Sequence, residues 1–205
     1  MGTGNAVQEW LRDAAEVFAE HAGELNELDR AIGDGDHGTN MSRGLETALT
    51  IPIDEDMSPT DSLKRVGMAL VSTVGGASGP LFGTFFLRVG QNWETPSTTS
   101  GIATAVRAGL EGVMARGKAV EGDKTMVDAL APAVASLDDS AAKQLPLEMA
   151  LRLGAQAAHD GAQATRGMLA RRGRASYLGE RSIGHLDPGA ISSALILASA
   201  ARHIS

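Results

Sequence analysis

The stretch LNELDRAIGDGDHGTNMSRG, residues 25–44, joins the end of one amphipathic segment to the start of the next. Three aspartates, Asp29, Asp34 and Asp36, surround a turn that is rich in glycine. Glycine tolerates the backbone angles of a tight reversal, so we expect a helix–turn–helix that brings the three carboxylates together. Carboxylates held this close repel one another unless a cation neutralises them, and oxygen ligands favour Mg²⁺ or Ca²⁺.

Two other interpretations of this turn compete with a magnesium site. An EF-hand calcium loop needs an acidic residue at position 5, Gly at position 6 and Glu at position 12. Counted from Asp34, these positions hold Gly38, Thr39 and Leu45, so the EF-hand register fails. A solvated Asp/Gly turn is the second alternative, because both residue types favour turns for local backbone reasons. The continuation from His37 to Asn40 favours a binding site over a plain turn.

The hydrophobic pattern predicts an all-α protein. Apolar residues recur at helical spacing, and no segment alternates with the period of two that strands require. Turn and capping signals divide the chain into about eight helices. The predicted helices cover roughly residues 5–30, 38–50, 59–74, 81 onward, 97 onward, 125 onward, 145–171 and 188 to the C-terminus. Short connections imply antiparallel neighbours, so we predict one domain, residues 1–205, built as a bundle or closed ring of helices.

Composition excludes several classes of function. The net charge is −7 and the basic residues are scattered, so we expect no nucleic-acid surface. The chain has no cysteine, which fits a reducing cytoplasm and excludes thiol catalysis. We expect no membrane span, because no apolar run approaches the necessary length, and no signal peptide, because the N-terminus has neither a basic nor an apolar region of the required kind. The expected partner is a small molecule or another protein.

Four polar, glycine-rich junctions interrupt the helices, and we expect a ligand site to be built from them. In the first, the aspartate turn, residues 37–40 open a helix whose backbone amides and dipole favour phosphate. The second junction is GGASGPLFG, residues 75–83. It is not a Walker A loop, since no Lys-Ser/Thr pair follows, and it has no Rossmann context, since no strand precedes it.

The third junction is RGKAVEGDKTMVDAL, residues 116–130, in which a Gly122-Asp123 turn leads into a helix. Met126 fits either the wall of an adenine pocket or ordinary core. The fourth, GRASYLGERSIGHLDPGA, residues 173–190, is a long connection of the kind that is often functional.

Two features of the fourth junction have alternative interpretations. Arg174 and Arg181 offer donors suited to phosphate, although either can simply pair with a surface acid. His185 and Asp187 form either an acid/base pair or, as we prefer, a loop histidine and a helix N-cap before Pro188.

In order and spacing, the segments LDRAIGDGDHGTN, GGASGPLFGTFF, GDKTMVDAL and GRASYLGERSIGHLDPGA resemble the L subunit, or DAK2 domain, of dihydroxyacetone kinases. The resemblance implies eight antiparallel amphipathic helices in a barrel, with a nucleotide site at one end among the interhelical loops. It implies that Asp29, Asp34 and Asp36 bind two Mg²⁺ ions that bridge to the phosphates. The residues that it places around ADP or ATP are His37, Gly38, Thr39, Asn40, Ser78, Gly79, Gly117, Met126, Arg174, Asp187, Pro188 and Gly189.

The same resemblance implies a kinase subunit that passes phosphate from Mg-bound nucleotide to dihydroxyacetone held on a separate K subunit. The chain resembles the bacterial phosphotransferase-dependent system, in which a phosphohistidine protein rephosphorylates bound ADP. We expect no protein nucleophile, a cytoplasmic location and a homodimer or hetero-oligomer that is active only with its partners. The alternatives are an L-type subunit of an ATP-dependent ketose or polyol kinase and a non-catalytic nucleotide-binding regulatory module.

Overall fold

The computed structural model describes residues 3–50 and 57–204. Within these residues there are eight α-helices and no β-strand, so the predicted all-α class is confirmed. The helices are α1 Thr3–Ile32, α2 His37–Thr50, α3 Pro59–Thr73, α4 Ser78–Gln91, α5 Thr99–Gly117, α6 Val127–Ala142, α7 Leu147–Ala164 and α8 Pro188–His203. Two 3-10 segments, Thr165–Gly167 and Arg174–Ser182, lie between α7 and α8. None of these helices is long and apolar enough to cross a bilayer.

The helix contacts form a closed cycle. Each helix packs against the next one along the chain, and α8 packs back against α1. The hydrophobic core between them draws on all eight helices and includes the buried rings of Phe18, Phe82, Phe85 and Phe86. The barrel and the single domain stay predictions, and both agree with this cycle around a shared core.

Close helix packing depends on glycine where α3 meets α4. A Cβ atom on Gly67 would lie 2.8 Å from the carbonyl oxygen of Gly83, and one on Gly83 would lie 2.6 Å from that of Gly67. Both distances are shorter than real Cβ contacts allow, so larger residues would push the helices apart. α4 begins at Ser78, slightly before the predicted start after Gly79-Pro80, because proline is tolerated in the first turn of a helix.

The predicted seventh helix, residues 145–171, is wrong at its C-terminal end. α7 stops at Ala164 and is followed by a 3-10 turn. The carbonyl oxygens of Thr165 and Met168 accept hydrogen bonds from the side chain of Lys124, at 3.0 and 3.2 Å. A partner so distant in sequence leaves no trace in the local hydrophobic pattern, which therefore overestimates the helix.

The predicted N-caps at Ser58 and Asp187 are confirmed. The Ser58 hydroxyl accepts from the Asp61 amide at 3.1 Å, and the Asp187 carboxylate accepts from the Ala190 amide at 2.7 Å. In both helices proline follows the cap at the first position, where its missing amide hydrogen costs nothing.

Candidate functional site

A cavity of about 480 Å³ lies where the ends of the helices meet. Its wall contains the last turns of α1 and α5, the first turns of α2, α4, α6 and α8, and the connections that follow α3 and α7. The four glycine-rich junctions thus come together in space. Four helix N-termini face the cavity, and their partial positive charge favours an anion such as phosphate.

The three aspartates converge at the edge of this cavity. One carboxylate oxygen from each of Asp29, Asp34 and Asp36 lies within 4.8 Å of the other two. Asp29 also shapes the turn, because its Oδ2 accepts hydrogen bonds from the amides of Gly35, at 2.8 Å, and Asp36, at 3.0 Å. Gly35 has a φ of 80°, a conformation that favours glycine. An all-oxygen set of this kind fits a hard cation such as Mg²⁺.

Arg174 connects the 3-10 segment before α8 to the aspartate turn. Its Nη1 lies 2.6 Å from Oδ2 of Asp34. Both side chains are exposed, and an exposed ion pair contributes only about 0–1 kcal/mol. Arg174 can therefore exchange Asp34 for another anion at little energetic cost. The planar donors of its guanidinium group suit phosphate oxygens.

His37 is buried at the start of α2 and joins three helices. Its Nδ1 lies 3.1 Å from the hydroxyl of Ser78 on α4, and its Nε2 lies 2.8 Å from the hydroxyl of Ser192 on α8. Burial lowers the pKa of His37, while the nearby Asp29 and Asp36 oppose this shift. The neutral imidazole therefore acts as a fixed hydrogen-bonding bridge. The sequence does not single out Ser192, because it is one of many small residues in α8.

Most of the residues predicted to surround the nucleotide line the cavity. These residues are His37, Asn40, Ser78, Gly117, Met126, Arg174, Asp187, Pro188 and Gly189. They are joined by an apolar wall that the sequence analysis did not single out, formed by Ile32, Leu81, Phe82, Val113 and Val127. Apolar residues that share a cavity with a few charged and polar groups are typical of a site for a nucleobase-sized ligand.

Gly38, Thr39 and Gly79 do not line the cavity. A Cβ on Gly38 would collide with the carbonyl of Ala22 on α1, and one on Gly79 would lie 2.8 Å from the carbonyl oxygen of Leu70. Both glycines therefore permit close helix packing. Thr39 is engaged by Asn26, whose Nδ2 donates to the Thr39 hydroxyl at 2.8 Å and whose Oδ1 accepts from the Thr39 amide at 3.0 Å. Their contacts with a nucleotide stay predictions.

Asp187 caps α8 beside the cavity and has a strongly altered acidity. Burial raises the pKa of Asp187 to about 7, the hydrogen bond from the Ala190 amide opposes the rise, and Asp128 adds to it. Asp187 makes no hydrogen bond to the side chain of His185. The backbone carbonyl of His185 instead accepts a hydrogen bond from Lys124. The capping interpretation of this aspartate is therefore the correct one.

Comparison with known proteins agrees with this geometry. The DAK2 domain family model matches residues 31–202. The chain belongs to the DAK2 domain family. One relative in this family is the PEP-dependent dihydroxyacetone kinase, ADP-binding subunit DhaL, of Escherichia coli (strain K12). The two sequences are 47% identical over 189 residues, which cover 91% of this chain and 90% of that protein.

A second relative in the DAK2 domain family is the PTS-dependent dihydroxyacetone kinase, ADP-binding subunit DhaL, of Lactococcus lactis subsp. lactis (strain IL1403). It is 43% identical over 189 residues, which cover 92% of this chain and 91% of that protein.

The solved dihydroxyacetone kinase from C. freundii, in complex with AMP-PNP and Mg²⁺, has the same fold over this region. The TM-score is 0.71 at 26% identity, and the match covers 98% of this chain. This chain spans only 33% of the C. freundii chain.

Proposed function

We propose that this chain is the nucleotide-binding phosphotransfer subunit of a dihydroxyacetone kinase. The observation that carries the proposal is the convergence of Asp29, Asp34 and Asp36 at a cavity faced by four helix N-termini. Negative charge for a metal and positive dipoles for phosphate are thus combined at one place. The names of the two relatives, each an ADP-binding subunit of a dihydroxyacetone kinase, support the choice of nucleotide and reaction.

The proposed site uses the chain's own groups mainly to bind and orient. Two Mg²⁺ ions held by Asp29, Asp34 and Asp36 would neutralise phosphate charge when bound. Arg174 would leave Asp34 and donate to the phosphates, as the helix amides do. His37, bonded to Ser192, would hold the Ser78 hydroxyl in place at the cavity wall. Phosphoryl transfer needs positioning and charge neutralisation rather than a protein nucleophile, so no side chain is assigned that role.

The partners belong to the same proposal. Dihydroxyacetone would be held by a separate K subunit, and a phosphohistidine protein of the phosphotransferase system would rephosphorylate ADP that stays bound to this chain. The words PEP-dependent and PTS-dependent in the names of the relatives support this donor. The cytoplasmic location, the assembly as a homodimer or hetero-oligomer and the single domain over residues 1–205 complete the proposal.

A second candidate is an L-type subunit that exchanges free ATP. The C. freundii kinase, which shares the fold, was solved with AMP-PNP, an ATP analogue, together with Mg²⁺. The two candidates share the metal and nucleotide site and differ only in the phosphoryl donor.

Reconstitution tests the proposal and separates the two candidates. The purified chain is combined with the K subunit and dihydroxyacetone, and dihydroxyacetone phosphate is measured with either a phosphohistidine donor or ATP. Turnover that requires the phosphohistidine donor, with ADP copurifying, is the expected result. Turnover with ATP alone selects the second candidate, and no turnover with either donor contradicts both.

A further inference from the structure

Lys124 is a fully buried lysine in the GDKTMVDAL junction, with 1% of its surface exposed. Its Nζ lies within hydrogen-bonding distance of four backbone carbonyl oxygens, those of Thr165, Met168, Ser182 and His185, at 3.0, 3.2, 2.6 and 2.6 Å. An ammonium group has three N–H donors, so two of these oxygens share one donor. All four acceptors are uncharged, and no carboxylate bonds to this nitrogen among the described residues. Nothing in the proposed phosphotransfer chemistry uses this group.

The four surrounding carbonyl oxygens favour the charged form of this side chain. Burial lowers the pKa of Lys124, and the nearby Asp187 opposes that shift. An ammonium group has only donors, whereas a neutral amine would point a lone pair at one of the carbonyl oxygens and be repelled. Four carbonyl oxygens around one cation resemble the carbonyl cages that replace the water shell of an ion in selective channels. A buried charge is tolerated only when its hydrogen bonds are satisfied in this way.

The four carbonyls come from both ends of the connection between α7 and α8. Two belong to the turn that follows α7, and two belong to the end of the 3-10 segment and the residues before Asp187. Lys124 itself lies two residues before Met126, in the junction that leads into α6, and both residues line the cavity. Further bonds reinforce the junction: the Arg171 amide donates to the carbonyl of Asp123 at 3.0 Å, and the Asp187 amide donates to the Thr165 hydroxyl at 3.0 Å.

We propose that Lys124 is a positioning residue, whose ammonium group holds the connection between α7 and α8 against the junction before α6, where both segments line the nucleotide cavity. The junction before α6 carries Met126, and the connection carries Arg174 and Asp187. The ammonium group fixes the relative position of these two segments by binding four carbonyl oxygens of the connection. This inference rests on the proposed function, since the cavity concerned is the one assigned to the nucleotide.

The first test uses the wild-type protein and needs no nucleotide. The chain has four lysines, and Lys64, Lys118 and Lys143 are exposed. In ¹⁵N-lysine NMR at neutral pH, exposed ammonium protons exchange too rapidly with water to be seen, so we expect one protected ammonium signal, from Lys124. The absence of a protected signal overturns the proposal even if no variant can be purified.

The second test is Lys124→Gly. Lys124 has a φ of 62°, which glycine adopts without strain, so this change removes the ammonium without adding backbone cost. We expect the Kd for ADP with Mg²⁺ to rise about tenfold or more, the size typical when a residue supporting a binding group is removed. Hydrogen exchange should quicken across residues 165–187 and stay unchanged in α3 and α4.

Chemical rescue identifies the ammonium as the acting group. n-Butylammonium, which replaces the deleted side chain, should restore ADP affinity to Lys124→Gly, whereas tetramethylammonium at the same ionic strength, which has no N–H donor, should not. The matched control is Lys118→Gly, since Lys118 is exposed and also has a positive φ, of 49°; its ADP affinity should equal that of the wild type.

The outcomes separate this proposal from the proposed function. A wild-type chain that does not bind ADP contradicts the proposed function. In that case the protected ammonium signal and the hydrogen-exchange rates of residues 165–187 still decide the role of Lys124. Wild-type affinity in Lys124→Gly, or a loss that both cations restore equally, overturns the positioning role.

Discussion

Asp34 combines two tasks, because it belongs to the aspartate cluster and also pairs with Arg174. Asp34→Ala removes one of three carboxylates, so the remaining pair should hold a divalent cation poorly. We expect the Mg²⁺-dependent affinity for ADP to fall about 100-fold or more. Loss of a residue that only hydrogen-bonds to a metal ligand typically costs less than this. Titration of Mn²⁺, followed by electron paramagnetic resonance, should show the same loss without nucleotide.

The control for Asp34 is Asp160→Ala. Asp160 is exposed on α7, and its carboxylate accepts a hydrogen bond from Gln156 at 2.9 Å, away from the cavity. Its substitution should leave Mn²⁺ and ADP binding unchanged. Wild-type affinities in Asp34→Ala would remove the argument for a metal site at this turn.

Asp187 makes the stability of the metal-free, nucleotide-free protein depend on pH. Its pKa is about 7 in the folded chain against 3.8 in the unfolded one, so the folded state retains a proton that the unfolded state loses. The resulting stability is fully present below pH 3.8 and is lost as the pH rises to about 7. Asp187→Asn keeps a capping oxygen and removes this titration.

The pH dependence can be measured by urea unfolding of both proteins. From about pH 5 to about pH 8, the wild type should lose about 3 kcal/mol of unfolding free energy relative to Asp187→Asn, since each pKa unit corresponds to about 1.4 kcal/mol. A constant difference between the two proteins across this range would show that the Asp187 carboxyl group titrates normally.

At the scale of the elements, the contact between α1 and α2 sets the position of the aspartate turn. Gly38 packs against the carbonyl of Ala22, where a methyl group would collide with backbone. Gly38→Ala should therefore cost about 3 kcal/mol, the upper range for overpacking, and lower the urea midpoint. Gly23→Ala, one residue along α1 from Ala22 with no atom within 4 Å, should stabilise by about 0.5–1 kcal/mol. Equal effects of both substitutions would contradict this packing.

Helix boundaries could be predicted from the sequence where they depend on nearby residues. They could not be predicted where they depend on a contact with a residue far away in the chain. The caps at Ser58 and Asp187 depend on residues three positions away, so sequence alone finds them. The end of α7 depends on Lys124, and the orientation of His37 depends on Ser192. A local pattern contains neither of these partners.

At the scale of the whole molecule, the order of the four junctions identified the family, but only the closed cycle of helices brings the junctions together. Asp29 and Asp34, close in sequence, were predicted to converge, and they do. Gly38 and Gly79 belong to the same motifs, yet they serve helix packing in this structure. Glycine carries no side chain that distinguishes the two uses, so the sequence could not separate them.

The measurement that tests the central claim most directly is calorimetric titration of ADP into the nucleotide-stripped protein, with and without Mg²⁺. A cavity that combines helix N-termini with three converging aspartates predicts saturable binding of one ADP per chain that is strong with Mg²⁺ and weak after chelation. Binding of equal strength in both conditions, or no binding in either, would contradict the account.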